Sequence, residues 1–410
     1  MNSIRKKLTI FTALIICYLG FSIYSNGCAD EPSSLGLNFI PTGDTAGVVI
    51  FDSYIDSMLI TSTNHKKLTN TSGSYNLMVG KNGNYDAKAL IQIYDLSDDY
   101  DSAVVNSATL TLKYRNYYFP RAQSDSLGQV SFEIFKINES LNLGTITLDS
   151  VDNNTFGNIS QGSYTGVPAS DSEEVIINLN TSMIKDWLES EADTGYANKN
   201  YGIVLSPNNS SNVIKAFYSS VNSLGSDVKP ELRIIVTKNS DTDTLVYDAT
   251  GTLSLVNNTT IAQTNELFFL QAGIAYGQVL KFDLSKIPST ATINDVQLYL
   301  TIDPVNSILS NQSSNIISSA QVTDTAGLVT ENILYKSGTS ASNKYTIRLI
   351  KSTAVCPFQR WLLGETNYGV FFFPETIQSD LDLYAIYNTT ASDPTKRPRL
   401  VIKYTPRTTQ

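Results

Sequence analysis

Thr109-Leu110-Thr111-Leu112-Lys113-Tyr114-Arg115 alternates polar and apolar side chains with a period of two. Successive side chains of an extended chain point to opposite faces, so Leu110, Leu112 and Tyr114 share one face and Thr109, Thr111, Lys113 and Arg115 the other. The stretch therefore reads as a half-buried β-strand. In the second half of the chain Ile293-Asn294-Asp295-Val296-Gln297-Leu298-Tyr299-Leu300 has the same pattern, with Val296, Leu298 and Leu300 on one face.

Working outward from these two strands, the same landmarks recur in the same order. Leu77-Met78-Val79-Gly80 and Ala89 to Leu96 precede the first strand. It is followed by Val175 to Leu179, Trp187-Leu188, Asn200-Tyr201-Gly202-Ile203-Val204-Leu205, Phe217-Tyr218-Ser219-Ser220 and Lys229-Pro230-Glu231-Leu232. The second series runs Leu270-Gln271-Ala272-Gly273, Val279 to Leu284, the Ile293 strand, Tyr345 to Leu349, Trp361-Leu362, Asn367-Tyr368-Gly369-Val370-Phe371-Phe372-Phe373, Tyr384 to Tyr387 and Arg397-Pro398-Arg399-Leu400. The offset between copies falls from 190 at Leu90 and Leu280 to 174 at the tryptophans and 168 at Pro230 and Pro398, so the copies differ mainly in loop length. Many short alternating strands at this spacing predict an all-β chain of two tandem antiparallel β-sandwiches, jelly-roll-like. Phe371-Phe372-Phe373 matches Ile203-Val204-Leu205 and reads as a buried strand. Each copy also carries one short helix. Met183, Ile184, Trp187 and Leu188 follow helical spacing after a cap at Thr181 or Ser182, and Phe358, Trp361 and Leu362 do so after Pro357. Equivalent placement on an apolar helical face makes both tryptophans core residues rather than sugar platforms.

The ends of the chain speak to destination. Arg5, Lys6 and Lys7 precede an uncharged run of 17 residues from Leu8 to Tyr24, then Ser25-Asn26-Gly27-Cys28. This reads as a signal peptide over 1–27. The four residues resemble a lipobox, which would leave Cys28 as an acylated N-terminus, and Asp30-Glu31 resembles the surface-export signal of Bacteroidetes lipoproteins. Residues 28–46 read as a tether. Module 1 is then expected over 47–238, a linker over 239–245, module 2 over 246–405 and a tail over 406–410. Cys17 and Cys28 fall in these segments, which leaves Cys356 alone in the folded part and no disulfide framework. Without the three leader cations, 26 bases face 38 acids, a formal charge of −12. Such a balance argues against nucleic acid as a partner.

The order of landmarks resembles the DNRLRE-domain family, which is grouped among the carbohydrate-binding modules. Its clearest carriers are Leu280-Lys281-Phe282-Asp283-Leu284-Ser285-Lys286-Ile287-Pro288 with Ala291 to Leu300, and Asn200-Tyr201-Gly202 with Lys229-Pro230-Glu231-Leu232. The likeness covers about Val48 to Tyr404 as two copies, although the eponymous Asn-Arg-Leu-Arg-Glu string is absent from both. It implies jelly-roll-like sandwiches on a cell-surface protein, and polysaccharide binding.

Little in the chain supports catalysis. His65 is the single histidine, beside Lys66-Lys67 in a polar stretch, and reads as an exposed loop residue. Cys356, between Val355 and Pro357, reads as a buried inert thiol. No carboxylate pair stands out by spacing, so the chain reads as non-enzymatic and without an organic cofactor. Asp98-Asp99-Tyr100-Asp101 and Asp149 to Asn154 are oxygen-rich; in the first, Asp98, Asp99 and Asp101 are candidate calcium ligands, with strand-linking turns as the simpler account. For sugar binding, Tyr114 to Arg121 offers rings and cations where a strand runs into a loop. Arg115, Tyr117, Tyr118 and Arg121 are the candidate ligand residues, and two arginines would suit an acidic polysaccharide. The expectation is a surface lipoprotein, held to the membrane through Cys28, that binds polysaccharide. A structural or adhesive envelope protein is the rival.

Overall fold

The computed structural model describes residues 47–407 apart from 67, 122–126, 153, 222–223, 259–263, 275, 327, 339–342 and 350–355. The leader, Cys28, the tether and residues 408–410 lie outside the described residues. Two short strands open the fold, β1 (Val49–Asp52) and β2 (Ile60–Lys66). Then come β3 (Asn76–Asn82), β4 (Tyr85–Gln92), β5 (Val104–Phe119), β6 (Val130–Lys136), β7 (Gly162–Gly166), β8 (Glu174–Asn178), helix α1 (Thr181–Ala192), β9 (Ile203–Pro207), β10 (Ile214–Tyr218) and β11 (Glu231–Lys238). A second pair of strands, β12 (Asp241–Asp248) and β13 (Gly251–Asn258), precedes β14 (Leu267–Gln271), β15 (Tyr276–Phe282), β16 (Thr292–Thr301), β17 (Ile316–Asp324), β18 (Val329–Gly338) and β19 (Lys344–Arg348). Helix α2 (Pro357–Leu362), β20 (Val370–Pro374), β21 (Leu383–Tyr387) and β22 (Arg399–Thr405) complete the chain.

These strands build two antiparallel sandwiches with the same pairing plan. In the first, β7-β6-β9-β4-β3-β10 form one sheet and β12-β11-β5 with β8 the other, joined because the long β5 turns the corner and also pairs with β10. In the second, β18-β17-β20-β15-β14-β21 face β1-β22-β16-β19. Leu110, Leu112 and Tyr114 are buried in the first core with Trp187, while Val296, Leu298 and Leu300 occupy the second with Trp361. Both helices therefore plug their sandwiches through the tryptophans. The cap of α1 is Asn180, one residue before the expected position, its side chain accepting from the Ser182 N–H at 2.9 Å. Cys356 caps α2 and is buried, and burial pushes its thiol pKa up.

Chain order and strand pairing part company at the two opening pairs. β1 lies on β22 and β2 on β15, so the N-terminal arm completes the second sandwich, where Phe51, Met58 and Ile60 enter the core. β12 lies on β11 and β13 on β4, so the arm that opens the second repeat completes the first sandwich. The linker expected at 239–245 is instead a hairpin. Asn239 and Ser240 have φ of 53° and 74°, and positive φ at both central residues is the geometry of a tight two-residue β-turn. That turn places β12 beside β11 with almost no loop-closure cost. In the second sandwich the equivalent edge, on β22, is taken by β1 of the N-terminal arm. Asp52 and Arg399 fasten it, with Nε 3.0 Å from Oδ1; this ion pair holds the Asp52 carboxyl below its ordinary range.

The duplicated Asn-Tyr-Gly motif has one geometry in both sandwiches. Asn200 donates to the Ile93 carbonyl at 2.7 Å and Asn367 to the Phe282 carbonyl at 2.9 Å. Gly202 and Gly369 follow with φ of 96° and 98°, and a Cβ there would lie 2.4 Å from the Ile91 oxygen and 2.7 Å from the Leu280 oxygen. Gly202→Ala is therefore expected to destabilise the fold by about 1–3 kcal/mol. Chemical denaturation reads this, and an unchanged midpoint would contradict the close approach.

Candidate functional site

Alternation along β5 places Tyr117 and Phe119 on the face opposite Leu112 and Tyr114, which the sequence reading took for solvent. That face is covered. Ile274, Ile308 and Leu381 of the second sandwich pack on Tyr117, Phe119, Met78 and Ile214 of the first in one shared cluster. Tyr117 is fully buried there and donates its hydroxyl to Asp380 Oδ1 at 2.9 Å, so it is no ligand-facing ring. Tyr118 points toward the first core and is half-buried. Arg121 is exposed just beyond β5 and does not line the groove described next.

Arg115 does reach an open site. Between Tyr114 and Tyr117 the β5–β10 register shifts, because Phe217 pairs with Tyr114 and Ala216 with Tyr117. Arg115 and Asn116 are the extra residues of this bulge, and Asn116 has φ of 48°. The bulge lies at the edge of the covered face. A groove of about 490 Å³ opens there, lined by Tyr75, Arg115, Asn116, Asp171, Tyr218, Leu224 and Gln312. The Arg115 guanidinium sits 5.6 Å from the ring centroids of both Tyr75 and Tyr218, a double cation–π contact. Tyr218 donates to the Asp171 carboxylate at 3.2 Å. From the second sandwich, Gln312 donates to the carbonyls of Arg115 and Asn116 at 3.1 and 3.0 Å, and Asn311 to that of Asn116 at 2.7 Å. The bulge is thus clamped by both sandwiches.

Two of the rings that matter, Tyr75 and Tyr218, were not singled out by sequence. Tyr218 sat in a repeated landmark that read as a strand only, and Tyr75 stands alone before β3. Tyr75 remains 46% exposed. The groove therefore offers an exposed ring, a fixed cation, a carboxylate and side-chain amides on one rim. That set can stack on a sugar face and bond its hydroxyls.

The other candidate sites resolve differently. Asp98 and Asp99 lie on a short 3-10 turn, and Lys238 bridges the Asp101 carboxylate at 2.7 Å and the Asp99 carbonyl at 2.6 Å. The Asp101 carboxylate is thus tied to Lys238, and among the described residues no three metal-ligating His, Cys, Asp or Glu side chains converge. Asp152 accepts from the Asn154 and Thr155 N–H groups, which is turn chemistry. His65 lies on β2 opposite Gly277, half-buried rather than in a loop, and burial lowers its pKa. Spacing did not single out Asp380 and Asp382, yet the fold buries them side by side, 2% and 0% exposed, between Tyr117, Ser310, Ser313 and Tyr384. Burial raises both pKa values, and for Asp380 the neighbouring Asp382 charge adds to the effect. Closed to solvent as they are, these carboxylates offer no surface to a substrate. No family model and no curated protein matches the chain.

Proposed function

We propose that this chain is a non-catalytic, exported surface lipoprotein that binds polysaccharide in the groove around Arg115. The observation that carries the reading is the guanidinium held between two tyrosine rings beside a carboxylate and side-chain amides. A clamped guanidinium loses little freedom when it bonds a ligand, and its planar donor edge suits the hydroxyls or carboxylate of an acidic sugar. The resemblance to DNRLRE-domain modules and the lipobox-like Ser25-Asn26-Gly27-Cys28 agree with it.

Affinity electrophoresis of the protein through neutral and acidic polysaccharides tests this. Retardation by at least one polymer is expected, and Tyr75→Ala and Arg115→Ala should each weaken it about tenfold, equivalent to about 1.4 kcal/mol. A flat response across the panel, with a stable protein partner captured by crosslinking, would favour a structural envelope role instead. Anchoring has its own readout: metabolic labelling with a fatty acid should mark the parent chain and leave Cys28→Ala unmarked, and a parent chain without label would dispose of the lipid anchor.

A further inference from the structure

Exposed large apolar side chains cluster in the N-terminal arm. Ile50 is 61%, Ile55 79% and Leu59 62% exposed, with Val49 and Tyr54 also exposed beside them. The core does not need these residues, since Phe51, Met58 and Ile60 of the same arm supply it. Next to them a groove of about 410 Å³ opens, lined by Tyr54, Met58, Leu59, Pro394, Arg397 and Pro398. Concentrated apolar exposure on a soluble fold marks a contact surface.

The rim of this face is basic in a chain of net charge −9. The Lys286 ammonium caps the carbonyls of Asp56 and Ser57 in the β1–β2 turn. Arg399 lies 5.4 Å from the Tyr54 ring centroid, and the Tyr54 hydroxyl donates to the Arg397 carbonyl. Lys403 is the cross-strand partner of Ile50, and Lys396 precedes Arg397. Of the nearby acids, Asp52 pairs with Arg399, Asp393 lies 3.9 Å from Lys396, and Asp283, whose N–H bonds the Leu59 carbonyl, lies near Lys286, leaving Asp56 as the remaining carboxylate in the turn.

We propose that this apolar, basic-rimmed face of the N-terminal arm docks on an anionic lipid surface. Apolar side chains enter the headgroup boundary while lysine and arginine meet lipid phosphates, the combination that holds proteins at membrane interfaces. Chain length agrees. Only 20 residues lie between Cys28 and Val49, a span of at most about 70–75 Å when extended, so the arm stays within reach of a bilayer that holds Cys28. The anchored reading enters only through that reach; contact with lipid stands apart from it.

Flotation of the full mature chain carrying Cys28→Ala, with phosphatidylcholine vesicles with and without phosphatidylglycerol, tests the proposal free of the acyl anchor. The chain should float with the anionic vesicles, and combining Ile50→Ser, Ile55→Asp and Leu59→Asp should reduce this at least about tenfold. Arg115→Ala should float unchanged. Equal partition of the triple variant and its parent, or no flotation with either vesicle, overturns the proposal. So does a triple variant that turns a dimer into a monomer in sedimentation, which would assign the face to a second copy. These substitutions lie on exposed positions, and an unchanged melting temperature confirms that the variant is folded.

Discussion

Expressed alone, residues 47–238 should fail to form a stable sandwich, whereas residues 68–258 should unfold in one cooperative transition. The first fragment is what the repeat in the sequence delimits; the second is what the pairing delimits. In 47–238 the edge of β4 loses β13, and with it Leu253, Leu255 and Val256, all buried. Burying such side chains contributes about 1.5–3 kcal/mol each. Their joint loss is comparable with the whole stability of an ordinary domain, about 5–15 kcal/mol. The N-terminal arm in that fragment would also carry Phe51 and Ile60 with no core to receive them. Residues 68–258 keep β13 and the Thr71 hydroxyl that bonds the Ser254 carbonyl at 2.7 Å. Denaturant titration of both fragments decides the matter, and equal stability would mean that the arms do not carry the sandwiches. Deleting 47–66 from the full chain should likewise loosen the second sandwich and spare the first, as amide exchange would read.

Raising the pH should weaken the contact between the sandwiches through Asp380 and Asp382. Both carboxylates are buried, and among the described residues neither has a basic partner; their donors are hydroxyls and backbone amides. Their folded pKa values lie above the ordinary 3.8, with burial the largest cause. A raised folded pKa means that folding favours the protonated form. That contribution is fully present below the unfolded pKa and is lost as the pH rises through the folded value. Each unit of elevation corresponds to about 1.4 kcal/mol. Relative to Asp380→Asn, the wild type should therefore lose melting temperature between about pH 5 and about pH 9; Lys215, whose pKa burial lowers to about 8, titrates in the same window with the opposite sign and cancels in this difference. Asp380→Asn keeps an acceptor for Tyr117 and removes one charge, so it should flatten the profile and stabilise the alkaline form. An Asn variant whose profile has the same slope as the wild type would remove the pair from any pH role.

Much of the local architecture was legible in the residues. Alternation in Thr109–Arg115 put Leu110, Leu112 and Tyr114 inside, and helical spacing put Trp187 and Trp361 on buried faces. The groove was half legible. Arg115 was identified, but Tyr117 was misread, because alternation separates two faces of a strand without saying what covers the second one. Here Ile274, Ile308 and Leu381, at least 157 residues further along the chain than Tyr117, cover it. Tyr75 and Tyr218 converge on Arg115 only through the pairing of β10 with both β3 and β5.

By itself the sequence determined strand content, the duplicated order of elements and the two tryptophan plugs, all set by side-chain periodicity within short windows. The tertiary structure alone decided which arm completes which sandwich and where a ring, a cation and a carboxylate meet. An edge strand's pattern says that it needs a partner, and only loop closure and the available edges choose that partner. A tight turn gives the second arm to the first sandwich, and the N-terminal arm takes the equivalent edge of the second.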